Sequence, residues 1–167
     1  MSDNVYLGNP NLKKANTPIE FTEENVIEFV KCKNDPVYFA RKYIKIVSLD
    51  EGLVPFNMYD FQEKLIDRFH KNRFNICKMP RQTGKSTTCI SYLLHYAVFN
   101  DNVNIAVLAN KASTARDLLG RLQLAYENLP SWMQQGIISW NKGSLELENG
   151  SKISANSTSS SAVRGGS

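Results

Sequence analysis

Met79-Pro80-Arg81-Gln82-Thr83-Gly84-Lys85-Ser86 follows the apolar stretch Phe74-Asn75-Ile76-Cys77 and opens a strongly apolar run that ends at Phe99. A short strand, a loop that turns on glycine and a helix that starts Lys-Ser form the arrangement phosphate binding requires. Backbone N–H groups of Arg81, Gln82 and Thr83 and of the helix start converge on phosphate oxygens, and the helix dipole favours their charge. Gly84 lets the backbone approach closely, Lys85 reaches the β- and γ-phosphates, and Ser86 offers its hydroxyl to Mg²⁺. Thr87, one residue further into the helix, is placed to hydrogen-bond a phosphate. Met79 stands where the pattern G-x-x-x-x-G-K-[ST] has its first glycine. Gly-Lys-Ser by itself is therefore weak, and the strand–loop–helix setting carries the reading. The competing reading is a plain βα connection with an exposed lysine.

Two residues outside that core add to the nucleotide hypothesis. Arg81 lies inside the loop, where a guanidinium either stabilises transition-state charge on the γ-phosphate or fixes the loop through a salt bridge. Gln62 lies upstream on the helix before the first strand. Its amide donates and accepts at once, which matches the N6/N7 edge of adenine, and Phe61 beside it is placed to pack near the base. The alternative for Gln62 is simple solvation.

Outward from the loop, the periodicity predicts further elements. Residues 1 to about 20 are polar, with Gly8, Pro10 and Pro18, and read as an extended arm. Thr22 caps a helix through Lys31 with Val26, Ile27 and Val30 on its apolar face. Asp35-Pro36 starts a second helix, whose apolar side is Val37, Phe39, Ala40, Tyr43 and Ile44. Ser48 to Asn57 reads as a loop on Gly52 and Pro55. A helix from Tyr59 to His70 buries Phe61, Leu65, Ile66 and Phe69. After the Lys85–Phe99 helix, Asn104 to Leu108 is a strand with Ile105, Ala106, Val107 and Leu108 in succession, the mark of a parallel strand covered on both faces. Ser113 to Leu129 is an amphipathic helix ended by Pro130. Residues 144–148 and 151–154 form a hairpin about Asn149-Gly150. Asn156 to Ser167 is serine- and glycine-rich without an apolar period. The succession strand, helix, strand, helix predicts a right-handed parallel α/β unit.

Composition sets the outer bounds. Hydrophobic residues are 42% and charged residues 22% of 167, ordinary for a globular chain. No run of about 18 apolar residues is present to span a membrane, and the polar start Met1-Ser2-Asp3-Asn4 has no signal-peptide pattern. The expectation is a cytosolic protein. Net charge of +4 permits nucleic-acid contact without arguing for it, because Lys13-Lys14, Lys31/Lys33, Arg41-Lys42 and Lys71/Arg73 are scattered pairs. Cys32, Cys77 and Cys89 match no zinc spacing and read as reduced thiols. Trp132 and Trp140 read as packing residues, His70 and His95 have no catalytic pattern, and Glu146 and Glu148 alternate with leucines as solvent-facing acids.

At this point the sequence resembles the large terminase subunit of tailed bacteriophages. Arg-Gln-x-Gly-Lys-[Ser/Thr] with a non-glycine first position is its nucleotide loop, and Tyr59-Asp60-Phe61-Gln62 is similar to its adenine-reading motif. Tyr6 to Asn16, Val107 to Lys111, Gly136 to Ser144, Asn149-Gly150-Ser151 and Ala162-Val163-Arg164-Gly165 resemble further blocks in order. The resemblance implies a P-loop NTPase-type parallel sheet of the class with an added catalytic glutamate, with ATP and Mg²⁺ as cofactors. Residues 1–57 would be an arm and helical segment, and 58–167 the N-terminal half of the ATPase core. Gln62, Arg81, Gly84, Lys85 and Ser86 match nucleotide-site positions, with Arg81 and Lys85 as the catalytic pair. Arg164 matches a block near the site.

Implied partners are double-stranded DNA, a portal protein, a small terminase subunit and copies of the same chain in a ring. Implied localisation is the host cytoplasm and, transiently, the portal vertex of a procapsid. In the family an apolar strand ending in a metal-holding acid, a catalytic glutamate and a nuclease domain come later than the blocks present here. The expectation is that residues 1–167 alone bind ATP weakly, associate through exposed edges and do not turn it over. Two other readings stay open: a helicase-like translocase of the same broad class, and an inert fragment or binding module.

Overall fold

In the computed structural model, residues 4–48 and 50–158 are described. Arg164 and its block therefore lie outside the described residues. The N-terminal arm is a hairpin, β1 (Val5–Tyr6) paired with β2 (Asn9–Lys13), and it buries Leu12. Glu148, expected to face solvent, instead clasps this arm. Its carboxylate accepts from Lys13 Nζ at 3.0 Å and from the Asn16 N–H at 2.9 Å.

Local capping chemistry starts the next two helices. Thr22 accepts from the Asn25 N–H and opens α1 (Glu23–Asn34). Asp35 accepts from the Tyr38 N–H, with Pro36 at the first helical position, and opens α2 (Pro36–Tyr43). The two stretches agree with expectation, but the inner side of α1 does not. Val26, Ile27 and Val30 are about half exposed or more, while Cys32 is fully buried and Phe29 packs against Phe99. Glu28 also turns inward and takes hydrogen bonds from Tyr38 and Tyr43 and an ion pair from Lys42.

The stretch read as a loop contains β3 (Lys45–Ser48) and β4 (Gly52–Pro55), an antiparallel pair. Gly52 adopts φ +73°, the left-handed conformation that tight reversals favour. Helix α3 (Asp60–Lys71) follows and buries Gln62 and Ile66, while Phe61 stays 43% exposed. Phe74 to Cys77 is not a strand. A strand exists through ladder hydrogen bonds to a neighbour; these residues make none, and Phe74 and Ile76 are exposed. Helix α4 (Lys85–Phe99) has the expected bounds, and one side of it, including Thr88, Ser91, Leu94 and His95, is buried.

The sheet is mixed rather than parallel. It consists of β5 (Asn104–Ala109), β6 (Ile137–Trp140), β7 (Ser144–Leu147) and β8 (Lys152–Ser157) in the order β5-β8-β7-β6. Only β5 and β8 run parallel, Ile105 opposite Ile153 and Val107 opposite Ala155. The tight Asn149-Gly150 turn forces β7 and β8 antiparallel, with Gly150 at φ +79°. Strand β6, unforeseen, pairs antiparallel with β7 and receives the arm through the Ala15 N–H to the Ile137 carbonyl. Helix α5 (Ala112–Glu127) covers one face of β5 and β8. The other face of β5 is open at Leu108, so the strand is not covered on both sides as expected.

One apolar cluster runs through the described residues. It joins Leu12, Phe39, Ile44 and Phe56 to Ile66, Leu94, Leu119, Leu122, Tyr126 and Ile153. Residues on both sides of position 57 thus share a core. Truncating a fully buried leucine such as Leu94 to alanine costs about 2–5 kcal/mol. No described helix is long and apolar enough to cross a membrane.

Candidate functional site

The loop between Pro80 and Lys85 is built on two left-handed residues, Gln82 at φ +62° and Gly84 at φ +72°. A left-handed glutamine is uncommon, since its Cβ crowds the following carbonyl. Gly84 is the N-cap of α4 and makes no side-chain cap bond, and no acid stands in the first turn. Helices usually satisfy their first N–H groups with Ser, Thr, Asp or Asn at this position. Here the helix start is left to the loop itself.

Pro80 organises the loop from the other side. Its carbonyl accepts from Lys85 Nζ at 3.0 Å and from Thr83 Oγ1 at 3.1 Å. Thr88 Oγ1 donates to the Gly84 carbonyl at 3.1 Å and anchors the first turn of α4. Lys85 and Ser86 are half-buried, and the Ser86 hydroxyl has no hydrogen-bond partner among the described residues. Arg81 is exposed and makes no ion pair among the described residues, so the salt-bridge alternative finds no acid there. Thr87 points along a different side of α4. It lines a cavity of about 410 Å³ with Ile44, Ile46, Ile90, Arg121 and Leu124.

Gln62 is 3% exposed and reaches this loop across 21 residues of sequence. Its Oε1 accepts from the Tyr59 N–H at 2.9 Å and its Nε2 donates to the Thr83 carbonyl at 3.2 Å. One N–H and one lone pair of the amide remain. The simple-solvation alternative does not hold for a side chain this buried. Beside it Tyr59 and Phe61 stack at 5.7 Å with an interplanar angle of 9°, and both rings are open to solvent. Gln62, Thr83, Gly84 and Lys85 are thus brought together with Pro80, Arg81 and Gln82, while Thr87 faces elsewhere. Sequence reasoning missed Pro80 as acceptor and the role of Tyr59. Gln62 at the third helical position supplies the reciprocal half of a capping box, accepting from the N-cap N–H, but tyrosine is not among the usual N-cap residues, so spacing gave little sign of the latter.

A second polar cluster lies inside the helices. His95 is buried, with Nε2 on the Cys32 carbonyl at 2.9 Å and Nδ1 without a partner. Burial, with His70 nearby, brings it down to about 4 against the hydrogen bond to Cys32. Burial alone would raise Glu28, but hydrogen bonds from Lys42, Tyr43 and Tyr38 outweigh it and hold the carboxyl at about 2. The cysteines are free: Cys32 is buried, Cys89 half-buried and Cys77 exposed. Trp132 packs edge-on to Tyr43, and Trp140 lies against Tyr126, as packing residues do.

Fold and site together define an α/β protein in which a glycine-turned loop opens a long helix under a buried glutamine. Residues 76–167 match the family described as terminase large subunit, T4likevirus-type, N-terminal. That match spans more than half of the 167 residues, and the chain belongs to this terminase large-subunit family.

Proposed function

We propose that this chain is the ATP-binding part of a viral DNA-packaging motor, in which ATP hydrolysis is coupled to translocation of double-stranded DNA into a procapsid. The observation that carries the reading is the pairing of an uncapped helix start at Gly84 with a buried glutamine bonded to the same loop. The N–H groups of a left-handed turn and a helix start form an anion site without further side chains. A triphosphate bound there would draw Lys85 Nζ from the Pro80 carbonyl onto the β- and γ-oxygens. The exposed guanidinium of Arg81 is free to turn to the γ-phosphate. Mg²⁺ bound with the nucleotide would neutralise charge on the transferred phosphoryl group, and the Ser86 hydroxyl would be its protein ligand. The remaining donor and acceptor of Gln62 suit the N6/N7 edge of adenine, with the Tyr59–Phe61 stack beside the base.

Membership of the terminase family favours the packaging motor over a helicase-like translocase. It also carries the proposed partners: DNA, a portal protein, a small terminase subunit and neighbouring copies in a ring at the portal vertex. The test is equilibrium binding of a fluorescent ATP analogue, with Mg²⁺, to the parent chain and to Lys85→Ala. Among the described residues the Lys85 ammonium has one partner, the carbonyl of the exposed Pro80, so the variant should fold normally. Saturable binding that weakens about tenfold or more without the ammonium supports the reading, since charge-assisted contacts of this kind contribute about 1.5–3 kcal/mol. Equal binding by both proteins overturns it.

A further inference from the structure

Helix α1 is apolar on two opposite sides. One side, with Phe29 and Cys32 and the hydrogen-bonded Glu28, is covered by α2 and α4. At about 100° per residue Glu23, Val26, Ile27, Val30 and Asn34 fall on the other, with the exposed Lys33 at its edge. There Val26 is 49%, Ile27 63% and Val30 50% exposed. A helix that is hydrophobic all round is ordinarily buried all round, and nothing among the described residues covers this side.

The charges at its two ends indicate what does. Glu23 stands one turn before the aliphatic patch and Lys33 about one turn after it. Neither side chain has a hydrogen-bond or ion-pair partner among the described residues. Lys31, by contrast, is already engaged, 3.9 Å over the Tyr38 ring. The row Glu23, Val26, Val30, Lys33 along this face is symmetric about residue 28, with the sign of charge reversed. Val26 and Val30 are each two residues from that centre, and Glu23 and Lys33 are each five residues from it.

We propose that this face binds the same face of a second copy of the chain, with the two α1 helices antiparallel across a two-fold axis. A two-fold contact is self-complementary: what one copy offers at position i, the other meets at position j, and the reverse. In this register Val26 of each copy lies against Val30 of the other, Ile27 sits near the axis, and Glu23 of each copy reaches Lys33 of the other. A parallel arrangement would set Glu23 against Glu23 and Lys33 against Lys33. The contact is one helix wide, well below the roughly 1,200–2,000 Å² of a standard interface, so the pair populates with rising concentration. It closes at two copies and cannot propagate round a ring, so it is distinct from the ring contact proposed above and independent of the nucleotide site.

Sedimentation equilibrium over a concentration series tests the pairing on the full 167-residue chain. The expected result is a monomer–dimer equilibrium in the parent, abolished by Ile27→Glu. Glu23→Lys alone and Lys33→Glu alone should each weaken it about tenfold, because each change turns two symmetry-related attractions into repulsions. The doubly reversed chain, Glu23→Lys with Lys33→Glu, should regain dimerisation close to the parent's. A parent that stays monomeric throughout overturns the proposal. So does association that ignores the single reversals, or a double variant that is not rescued, since either outcome means a different occupant or unspecific apolar contact. Circular dichroism of each variant checks that α1 is retained.

Discussion

A Cβ placed on Gly84 would lie 2.5 Å from Nε2 of Gln62, so a side chain at position 84 would push the end of the α3 glutamine away from the turn that opens α4. The backbone there is left-handed as well, at φ +72°. Both effects act on Gly84→Ala. Left-handed backbone costs an L-residue about 1–2 kcal/mol, and Gln62 must leave the Thr83 carbonyl. The variant should melt several degrees below the parent in a thermal scan. Adding Gln62→Ala should recover only the steric part, because the backbone strain remains. A Gly84→Ala chain as stable as the parent would mean that the loop is not held by Gln62.

Gln62 should also set base preference. Guanine carries O6 where adenine carries its N6 donor, so the free half of the amide meets a mismatch with GTP. Competition of ATP and GTP for the parent and for Gln62→Ala measures this. Both nucleotides should bind the variant more weakly, since the loop loses a hydrogen bond to Thr83. The diagnostic quantity is the ratio, which should fall about tenfold toward parity, given roughly 1–3 kcal/mol for a two-point base contact. An unchanged ratio removes Gln62 from the base.

Arg81 is exposed and unpaired among the described residues, so its removal should leave stability within about 0.5 kcal/mol of the parent. In the full-length large subunit Arg81→Ala should lower kcat far more than it raises KM, the mark of a contact made in the transition state. Steady-state ATPase kinetics separate the cases. A rise in KM at constant kcat would make Arg81 a ground-state binder instead.

Elements governed by neighbours in sequence were legible. Thr22, Asp35-Pro36 and Gly84-Lys85 mark helix starts, and Asn149-Gly150 marks a turn, through chemistry confined to a few residues. Elements governed by pairing were not. Phe74 to Cys77 alternates like a strand but has no ladder partner among the described residues, whereas Lys45–Ser48 pairs with Gly52–Pro55 behind residues that read as loop. Periodicity found the α1 helix but chose the wrong inner side, because Val26, Ile27 and Val30 outweigh Phe29 and Cys32 in any apolar count. At the candidate site the turn at Gly84 and the helix start at Lys85 were readable from spacing. The bond from Gln62 to Thr83 was not, since it depends on how α3 packs against α4.

Stability in acid should depend on His95. Its Nε2 faces the Cys32 carbonyl and therefore carries the proton of the neutral ring, which leaves Nδ1 as a bare acceptor without a partner. A second proton would create a charged donor on Nδ1 with nothing to receive it, among Phe39, Tyr92 and Phe99. Burial and His70 push the ring down; the carbonyl of Cys32, the backbone of Lys33 and Asp35 pull up; the outcome is about 4, from an ordinary value of 6.5. The folded ring thus holds fewer protons than the unfolded one between those values, so stability rises with pH across that window. The contribution is complete above about 6.5 and is lost as pH falls to about 4, on the order of 3 kcal/mol in all. Glu28, depressed from 4.5 to about 2, acts in the same direction but lower, so its loss follows that of His95. Urea midpoints of the parent should therefore fall steadily from pH 7 to 4.5. His95→Gln keeps a donor for the Cys32 carbonyl and cannot titrate, so its midpoints should be nearly level over the same range, whatever its stability at pH 7. Parallel slopes in the two proteins would assign the acid sensitivity to another group.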